Sequence, residues 1–214
     1  MCAAARRWNG GSLAERPAGS PHEWPITHPD LHLYEYEASP YCRRVRETLC
    51  VLALEHNVLP CPRETLRLEG AYGESSRHKP ALAARGGRLR FPCLHDRTKD
   101  VIVNGSDAIV EHLWRSYGED AERPQNDVLL NGSTLPRPVN FASLVTPSLL
   151  RPWPECGLML APSRNATLPL VLHGCEPDEG TRLVREKLCI LQLAYRYKPR
   201  ALSVAAIPHL EGKS

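Results

Sequence analysis

Residues 31–118 contain two kinds of hydrophobic spacing. From Leu31 to Tyr36, apolar and polar side chains alternate, which indicates a half-buried strand. Ser39 and Pro40 follow, and they suit the N-cap and the first turn of a helix. The next apolar positions recur at the spacing of one helix face: Cys42, Val45, Leu49 and Leu52. The pattern therefore predicts a strand followed by a helix.

The same reasoning predicts five more elements in this segment. Short strands are predicted at Asn57–Leu59, Leu89–Leu94 and Val101–Val103, and the polar stretch 64–87 is predicted to be a loop with one short helix. A last helix is predicted to open at Gly105-Ser106-Asp107 and to end at Gly118. The order is βαβαββα, so the sequence predicts an α/β protein with a thioredoxin-like fold.

The rest of the chain has a different character. Residues 1–30 contain Gly, Pro, Ser and Arg without the apolar core of a signal peptide, so we expect a disordered leader. Prolines interrupt residues 119–167, where no period persists, and this stretch is interpreted as a Pro-rich linker. The predicted domains are the leader (1–30), a thioredoxin-like domain (31–118), the linker (119–167) and a partial second thioredoxin-like repeat (168–214).

An internal repeat supports the last of these domains. Val45–Leu54 reappears as Val184–Leu193, a shift of 184 − 45 = 139 residues, and seven of the ten positions are identical. The strand before the helix is repeated at the same shift, with Leu170 and Leu172 in the places of Leu31 and Leu33. A shared helical pattern would reproduce the leucines but not the Val-Arg-Glu and the cysteine together, so we infer a duplication.

The polar residues at the start of the first helix are not repeated. Ser39, Pro40 and Cys42 correspond to Asp178, Glu179 and Thr181. An acidic pair suits a helix N-terminus but would repel an anionic ligand. The segment 207–210 is similar to 91–94, yet the strand and helix that follow have no counterpart. We therefore expect a truncated, degenerate second copy with an uncovered sheet edge.

Charge and composition exclude several functions. The 214 residues carry 27 basic and 24 acidic side chains, a net charge of +3, which does not favour nucleic-acid binding. Arg43, Arg44 and Arg46 are interpreted as a solvated helix face. The sequence contains no run of about 18 apolar residues, so no membrane-spanning helix is predicted. The eight cysteines include no CxxC pair, so we expect reduced, intracellular thiols and no metal site.

Three motifs then resemble a known family. The segment 34–47 (Tyr-Glu-Tyr-Glu-Ala-Ser-Pro-Tyr-Cys-Arg-Arg-Val-Arg-Glu) resembles the active-site segment of glutaredoxins and glutathione S-transferase N-terminal domains. Arg90-Phe91-Pro92 and the segment 104–110 are similar to two further family motifs in order and spacing. The chain most resembles a tandem thioredoxin-fold family of plants, algae and photosynthetic bacteria.

The resemblance implies glutathione as a substrate or ligand. It implies a cis peptide bond before Pro92 and places Ser39 where a hydroxyl stabilises the glutathione thiolate. The residues that it assigns to glutathione binding are Ser39, Pro40, Tyr41, Phe91, Pro92, Ser106 and Asp107, and the catalytic candidates are Ser39 and Cys42.

The residues leave three functions open. A transferase-like protein would use Ser39, although Gly105 replaces the glutamate usual in the last motif and no all-helical electrophile-binding domain is recognised. A glutaredoxin-like oxidoreductase would use Cys42, although Ser39 stands at the nucleophilic cysteine's position. A non-catalytic interaction protein would explain the degenerate second copy. We expect an intracellular protein of the cytoplasm or a plastid, and the sequence does not determine its oligomeric state.

Overall fold

The computed structural model of the chain describes residues 29–63, 76–118, 161–176 and 178–200. In chain order, its elements are β1 (Leu31–Glu35), α1 (Pro40–Val51), β2 (His56–Pro60), α2 (Lys79–Ala83), β3 (Cys93–Asp96), β4 (Val101–Asn104), α3 (Ser106–Tyr117), β5 (Val171–Gly174), α4 (Glu179–Ile190) and β6 (Tyr195–Pro199). Most of the predicted leader, most of the predicted linker and the segment 207–210 lie outside the described residues.

The six strands form one sheet in the order β4-β3-β1-β2-β6-β5. β1 pairs with β2 in parallel and with β3 antiparallel, and β3 pairs with β4 antiparallel. β6 pairs antiparallel with β2 and in parallel with β5. The first seven elements therefore follow the predicted βαβαββα order, and the C-terminal βαβ unit (β5-α4-β6) extends their sheet.

Two apolar clusters lie against β1, as expected for a strand whose side chains alternate between faces. Leu31 and Leu33 belong to a cluster with apolar residues of α1 and α3: Val45, Leu49, Ile109, Val110 and Leu113. Tyr34 belongs to a second cluster that includes Leu82 of α2 and Cys93 of β3. Both faces of β1 are therefore buried, and this packing determines the position of the loop that follows β1.

The predicted elements agree with the structure except at two strands. The predicted strand 89–94 is wrong in its bounds: β3 begins at Cys93 and runs to Asp96, because Pro92 has no N–H to donate to a neighbouring strand. β6 was not predicted, although its alternation of Tyr195 and Tyr197 with basic residues is a strand pattern. The predicted domain boundaries and the degenerate second copy stay predictions.

No helix among the described residues is long and apolar enough to cross a membrane.

Candidate functional site

The three sequence motifs meet at one edge of the sheet. β4 is antiparallel to β3, which is antiparallel to β1, so β1 and β4 run in the same direction. α1 follows β1 and α3 follows β4, and both helices therefore begin at the edge where these strands end. β3 starts at that edge, which brings the Phe91–Pro92 bond there too. Because helix N-termini carry free N–H groups and partial positive charge, two of them together favour an anionic ligand.

Ser39 is the N-cap of α1. Its backbone is extended, with φ −77° and ψ 123°, and its Oγ accepts a hydrogen bond from the N–H of Cys42 at 3.2 Å. The Ser39 N–H donates to the carbonyl of Tyr36 at 3.2 Å, which closes a turn over residues 36–39. A hydroxyl that accepts one bond still has its hydrogen to donate. Ser39 can therefore cap the helix and donate to a ligand at once.

Cys42 lies inside the protein. Its side chain is fully buried in the cluster with Phe91 and Cys93. Burial raises the pKa of the Cys42 thiol to about 12, and the nearby charge of Glu35 acts in the same direction. A nucleophilic cysteine needs the opposite, an accessible thiol with a lowered pKa. The geometry thus argues against Cys42 as a nucleophile.

The second and third motifs are joined by a backbone contact. The Phe91–Pro92 peptide bond is cis, in agreement with what the resemblance implies. The N–H of Gly105 donates to the carbonyl of Pro92 at 3.1 Å. Gly105 has φ 89°, a conformation that disfavours other residues, so the glycine in place of the family's glutamate suits this turn. Ser106 is the first residue of α3 and is mostly buried.

Arg44 is a site residue that the sequence analysis missed. It was interpreted as part of a solvated face, but the structure contradicts this: only 9% of Arg44 is exposed, and its guanidinium is paired with the carboxylate of Asp107. The Nε–H of Arg44 has no hydrogen-bond partner among the described residues. Arg44 therefore brings a cation with a spare donor between the N-termini of α1 and α3.

The same correction applies to Arg43 and Arg46. Arg43 is half-buried and binds Glu47 at 2.9 Å, and Arg46 is only 2% exposed. Buried carboxylates surround the Arg46 guanidinium, which is why a charged residue is tolerated there. The sequence did contain an indication of this pairing, because Glu35 and Glu37 lie three to five residues before the start of α1.

The site is largely closed in this conformation. Ser39 is 1% exposed, whereas Tyr41 is 44% exposed, and the side chain of Asp107 also faces solvent. Among the described residues, no group of three or more His, Cys, Asp or Glu could hold a metal ion. The polar groups that the fold collects here are hydroxyls, helix N–H groups and the ion pair of Arg44 with Asp107, a set that suits an organic ligand with both anionic and cationic groups.

A comparison with protein families agrees with this geometry. Residues 33–121 match the family model described as "Glutathione S-transferase, N-terminal domain". The match spans the three motifs but less than half of the 214 residues. It supports the predicted thioredoxin-like fold of this segment, in agreement with the observed order of elements. No curated protein matches the chain.

Similar solved structures include three proteins. One is a Bombyx mori glutathione transferase, 24% identical, with 48% of this chain and 42% of that chain covered and a TM-score of 0.33. Another is Ure2p in complex with glutathione, 20% identical, covering 44% and 39%, with a TM-score of 0.31. A third is a Nilaparvata lugens delta-class glutathione transferase, 23% identical, covering 45% and 40%, with a TM-score of 0.31. The chain spans about two fifths of the length of these structures.

The roles of the individual site residues stay predictions, as does the restriction to plants, algae and photosynthetic bacteria. Position alone separates the predicted residues into two groups. The residues assigned to glutathione binding all lie at the sheet edge where α1 and α3 begin: Ser39, Pro40, Tyr41, Phe91, Pro92, Ser106 and Asp107. Cys42 lies beneath it.

Proposed function

We propose that the protein binds glutathione at the sheet edge where α1 and α3 begin, as a glutathione S-transferase-like protein with Ser39 at the thiolate. The observation that carries this proposal is the convergence of two helix N-termini beside Ser39. Glutathione is an anion with two carboxylates, an ammonium group and a thiol, and the thiol, the ammonium group and one carboxylate each have a chemically suitable partner at this edge.

The thiol is assigned to Ser39. The Ser39 hydroxyl donates a hydrogen bond to the sulfur, and the N-terminus of α1 adds positive potential, so both favour the thiolate over the thiol. A glutathione thiol that loses its proton to solvent in this way becomes the nucleophile of a conjugation reaction: the sulfur forms a new bond to an electrophile, and the electrophile's leaving group departs with its bonding pair or an activated double bond takes up the electron pair and then a proton from solvent. The electrophile is not identified by these residues.

The rest of the ligand is assigned to the neighbouring groups. A carboxylate of glutathione is held by Ser106 and the N-terminus of α3, with the spare donor of Arg44 beside it. Asp107 is exposed and acidic, which suits the ammonium group. The backbone at Phe91 and Pro92 lies at the same edge, where it can pair with the peptide part of glutathione.

Binding requires a movement at the site. Because Ser39 is 1% exposed, a ligand sulfur reaches its hydroxyl only after the groups that cover it shift. This opening costs free energy, which makes the free energy of binding less favourable. We therefore expect a dissociation constant in the micromolar to millimolar range rather than a lower one.

Calorimetric titration tests the proposal with three proteins and two ligands. Wild type is expected to bind glutathione, and Ser39→Ala to bind it about ten- to 150-fold more weakly, since a hydrogen bond to a charged group contributes about 1.5–3 kcal/mol. Ser39→Thr keeps the hydroxyl and is expected to bind like wild type. S-methylglutathione cannot form a thiolate, so Ser39→Ala should not weaken its binding. A folded wild-type protein that binds neither ligand would disprove the proposal.

A non-catalytic interaction protein is the second candidate. The observation that favours it is the closure of the site, since both Ser39 and Cys42 are buried. In this case the same titration gives no heat with either form of glutathione.

A further inference from the structure

The C-terminal βαβ unit is related to β1-α1-β2 by a local two-fold axis. The repeat shift of 139 residues maps His56 to position 195 and Val58 to position 197. The observed pairs across β2 and β6 are His56 with Tyr197 and Val58 with Tyr195, so the mapping exchanges one pair for the other. Asn57 pairs with its own counterpart, Arg196, and this pair marks the axis. The two units therefore meet as two subunits of a symmetric dimer do.

The turn before each helix also repeats. The Ser39 N–H donates to the Tyr36 carbonyl at 3.2 Å, and at the corresponding positions the Asp178 N–H donates to the Cys175 carbonyl at 3.3 Å. Ser39 caps α1, and Asp178 caps α4 with a bond to the Thr181 N–H at 2.6 Å. The same backbone bond and the same kind of cap therefore precede both helices, and only α1 begins at the proposed glutathione site.

Buried ion pairs cross between the two units in a reciprocal way. Arg185 of α4 donates through Nε to Glu37 at 3.0 Å, and Arg46 of α1 donates to Glu176 at 3.2 Å. Each arginine also contacts the glutamate of its own unit, at 3.0 Å for Arg185 and 3.3 Å for Arg46. At most 4% of any of these four side chains is exposed. The carboxylate of each turn is thus held from the other unit.

Two cysteines contact the turns in the same reciprocal way. The backbone N–H of Glu37 donates to the Cys189 thiol at 3.4 Å, and the backbone N–H of Glu176 lies at the thiol of Cys50, the counterpart of Cys189, where it opposes the burial that raises the pKa of Cys50 to about 12. Glu37 therefore has both its backbone and its side chain bound by α4. Ser39 is two residues further on, so α4 determines where the N-cap and its hydroxyl lie.

We infer that the C-terminal βαβ unit is a positioning element for the proposed glutathione site, with Cys189 and Arg185 as positioning residues that act through Glu37 on Ser39. The inference rests on the proposed function for its ligand. It assigns a role to the second copy although that copy has Asp178 and Glu179 in place of the ligand-binding residues. Cys189 is buried, and burial keeps its thiol protonated, so it acts as a fixed hydrogen-bond partner.

The two-fold relation supplies a matched pair of variants. Cys189→Ala removes the acceptor at the Glu37 N–H, and Cys50→Ala removes the corresponding sulfur at the Glu176 N–H, so each variant loses one sulfur, buried at Cys189 and partly buried at Cys50. Amide hydrogen exchange of the full chain then reports on each turn separately. We expect faster exchange at residues 37–42 in Cys189→Ala and at residues 176–181 in Cys50→Ala. Equal exchange at residues 37–42 in the two variants would overturn the inference, whatever the ligand.

Glutathione titration of the same proteins tests the link to the site. Cys189→Ala is expected to bind about two- to tenfold more weakly than wild type, the range for one hydrogen bond, and Cys50→Ala to bind like wild type. Cys189→Ser keeps an acceptor and should restore the affinity. An equal loss in Cys189→Ala and Cys50→Ala would show a general effect of stability and contradict the inference. If wild type does not bind glutathione, the proposed function fails, and the exchange experiment still decides the positioning role.

Discussion

Ser39 and Cys42 show how one helical turn separates two polar residues into different environments. Both belong to the first turn of α1, and they are joined by the bond from the Cys42 N–H to the Ser39 Oγ. Ser39 lies at the N-terminal end, where the helix dipole favours negative charge. Cys42 is on the inner face, where burial raises the pKa of its thiol to about 12. The position on the helix, rather than the type of residue, determines which of them could work with an anion.

Alkylation by iodoacetamide tests the state of Cys42. At pH 7.5 a thiol with a pKa near 12 is ionised to roughly 0.003%, against about 10% for an ordinary thiol of pKa 8.5. We expect Cys42 to be labelled about three orders of magnitude more slowly than free glutathione in the same solution. Urea-unfolded protein is the control, in which Cys42 should react at the ordinary rate. Rapid labelling of native Cys42 would favour the oxidoreductase alternative.

At the scale of elements, the decisive contact is the pairing of β6 with β2. A β2 edge left unpaired would expose a row of backbone N–H and C=O groups, and β6 pairs with them. Two arginines near this pairing of β6 with β2 differ in how far their side chains are exposed. Arg185 of α4 is 1% exposed, whereas the side chain of Arg196 of β6 is 45% exposed and pairs with Glu55 at 3.0 Å.

We expect the free energy of unfolding to reflect this difference. Arg185→Met removes a cation that is paired with the buried carboxylates of Glu37 and Glu176. We expect the free energy of unfolding to fall by about 3–5 kcal/mol. Arg196→Met removes an exposed pair of similar composition and should cost about 1 kcal/mol or less. Urea unfolding of both variants measures the two costs. Equal costs would mean that α4 is not packed against the first unit as described.

At the scale of the whole molecule, the interface between β1-α1-β2 and β5-α4-β6 contains more buried acidic than basic side chains. Arg46 and Arg185 face three carboxylates, those of Glu35, Glu37 and Glu176. Burial raises the pKa of Glu35 to about 7, opposed by the charge of Arg46 and reinforced by that of Glu37. With Glu35 protonated, the remaining two carboxylates balance the two arginines. We therefore expect the net charge of this interface to change with pH as Glu35 titrates.

Stability should respond to pH with a definite sign. Glu35 has a pKa near 4.5 when unfolded and about 7 when folded, so between these values the native state holds a proton that the unfolded state has released. The free energy of unfolding therefore falls as pH rises from 4.5 to 7, by at most about 3 kcal/mol from this group. His56 opposes this, because burial lowers its pKa to about 4 and stability from it increases with pH up to 6.5.

The variant Glu35→Gln isolates the contribution of Glu35. Glutamine keeps an oxygen that accepts from Arg46, yet it does not titrate. We expect the difference in unfolding free energy between wild type and Glu35→Gln to change by up to about 3 kcal/mol between pH 4.5 and 7.5, with wild type losing stability as pH rises. Urea unfolding at a series of pH values gives the difference directly. Parallel curves would contradict the raised pKa.

Much of the fold and part of the site could be predicted from local patterns. The strand and helix periods predicted α1 and α3 closely, because their caps, Ser39 at one start and Gly118 at one end, are local signals. The bounds of β3 were wrong, since alternation alone does not take into account that Pro92 has no N–H for strand pairing. Arg44 was missed as a site residue because its partner, Asp107, lies 63 residues away.

The amino-acid sequence by itself determined the elements of residues 31–118, the positions of the three motifs and the repeat of Val45–Leu54 at 184–193, since all of these depend on residues close together in the chain. Only the tertiary structure decided that α1 and α3 begin at the same end of the sheet, that Ser39 and Cys42 are buried, and that the C-terminal βαβ unit continues the sheet of residues 31–104. The physical reason is that burial and charge pairing depend on groups far apart in sequence, such as Glu37 and Arg185, and a local pattern contains no information about which of them meet.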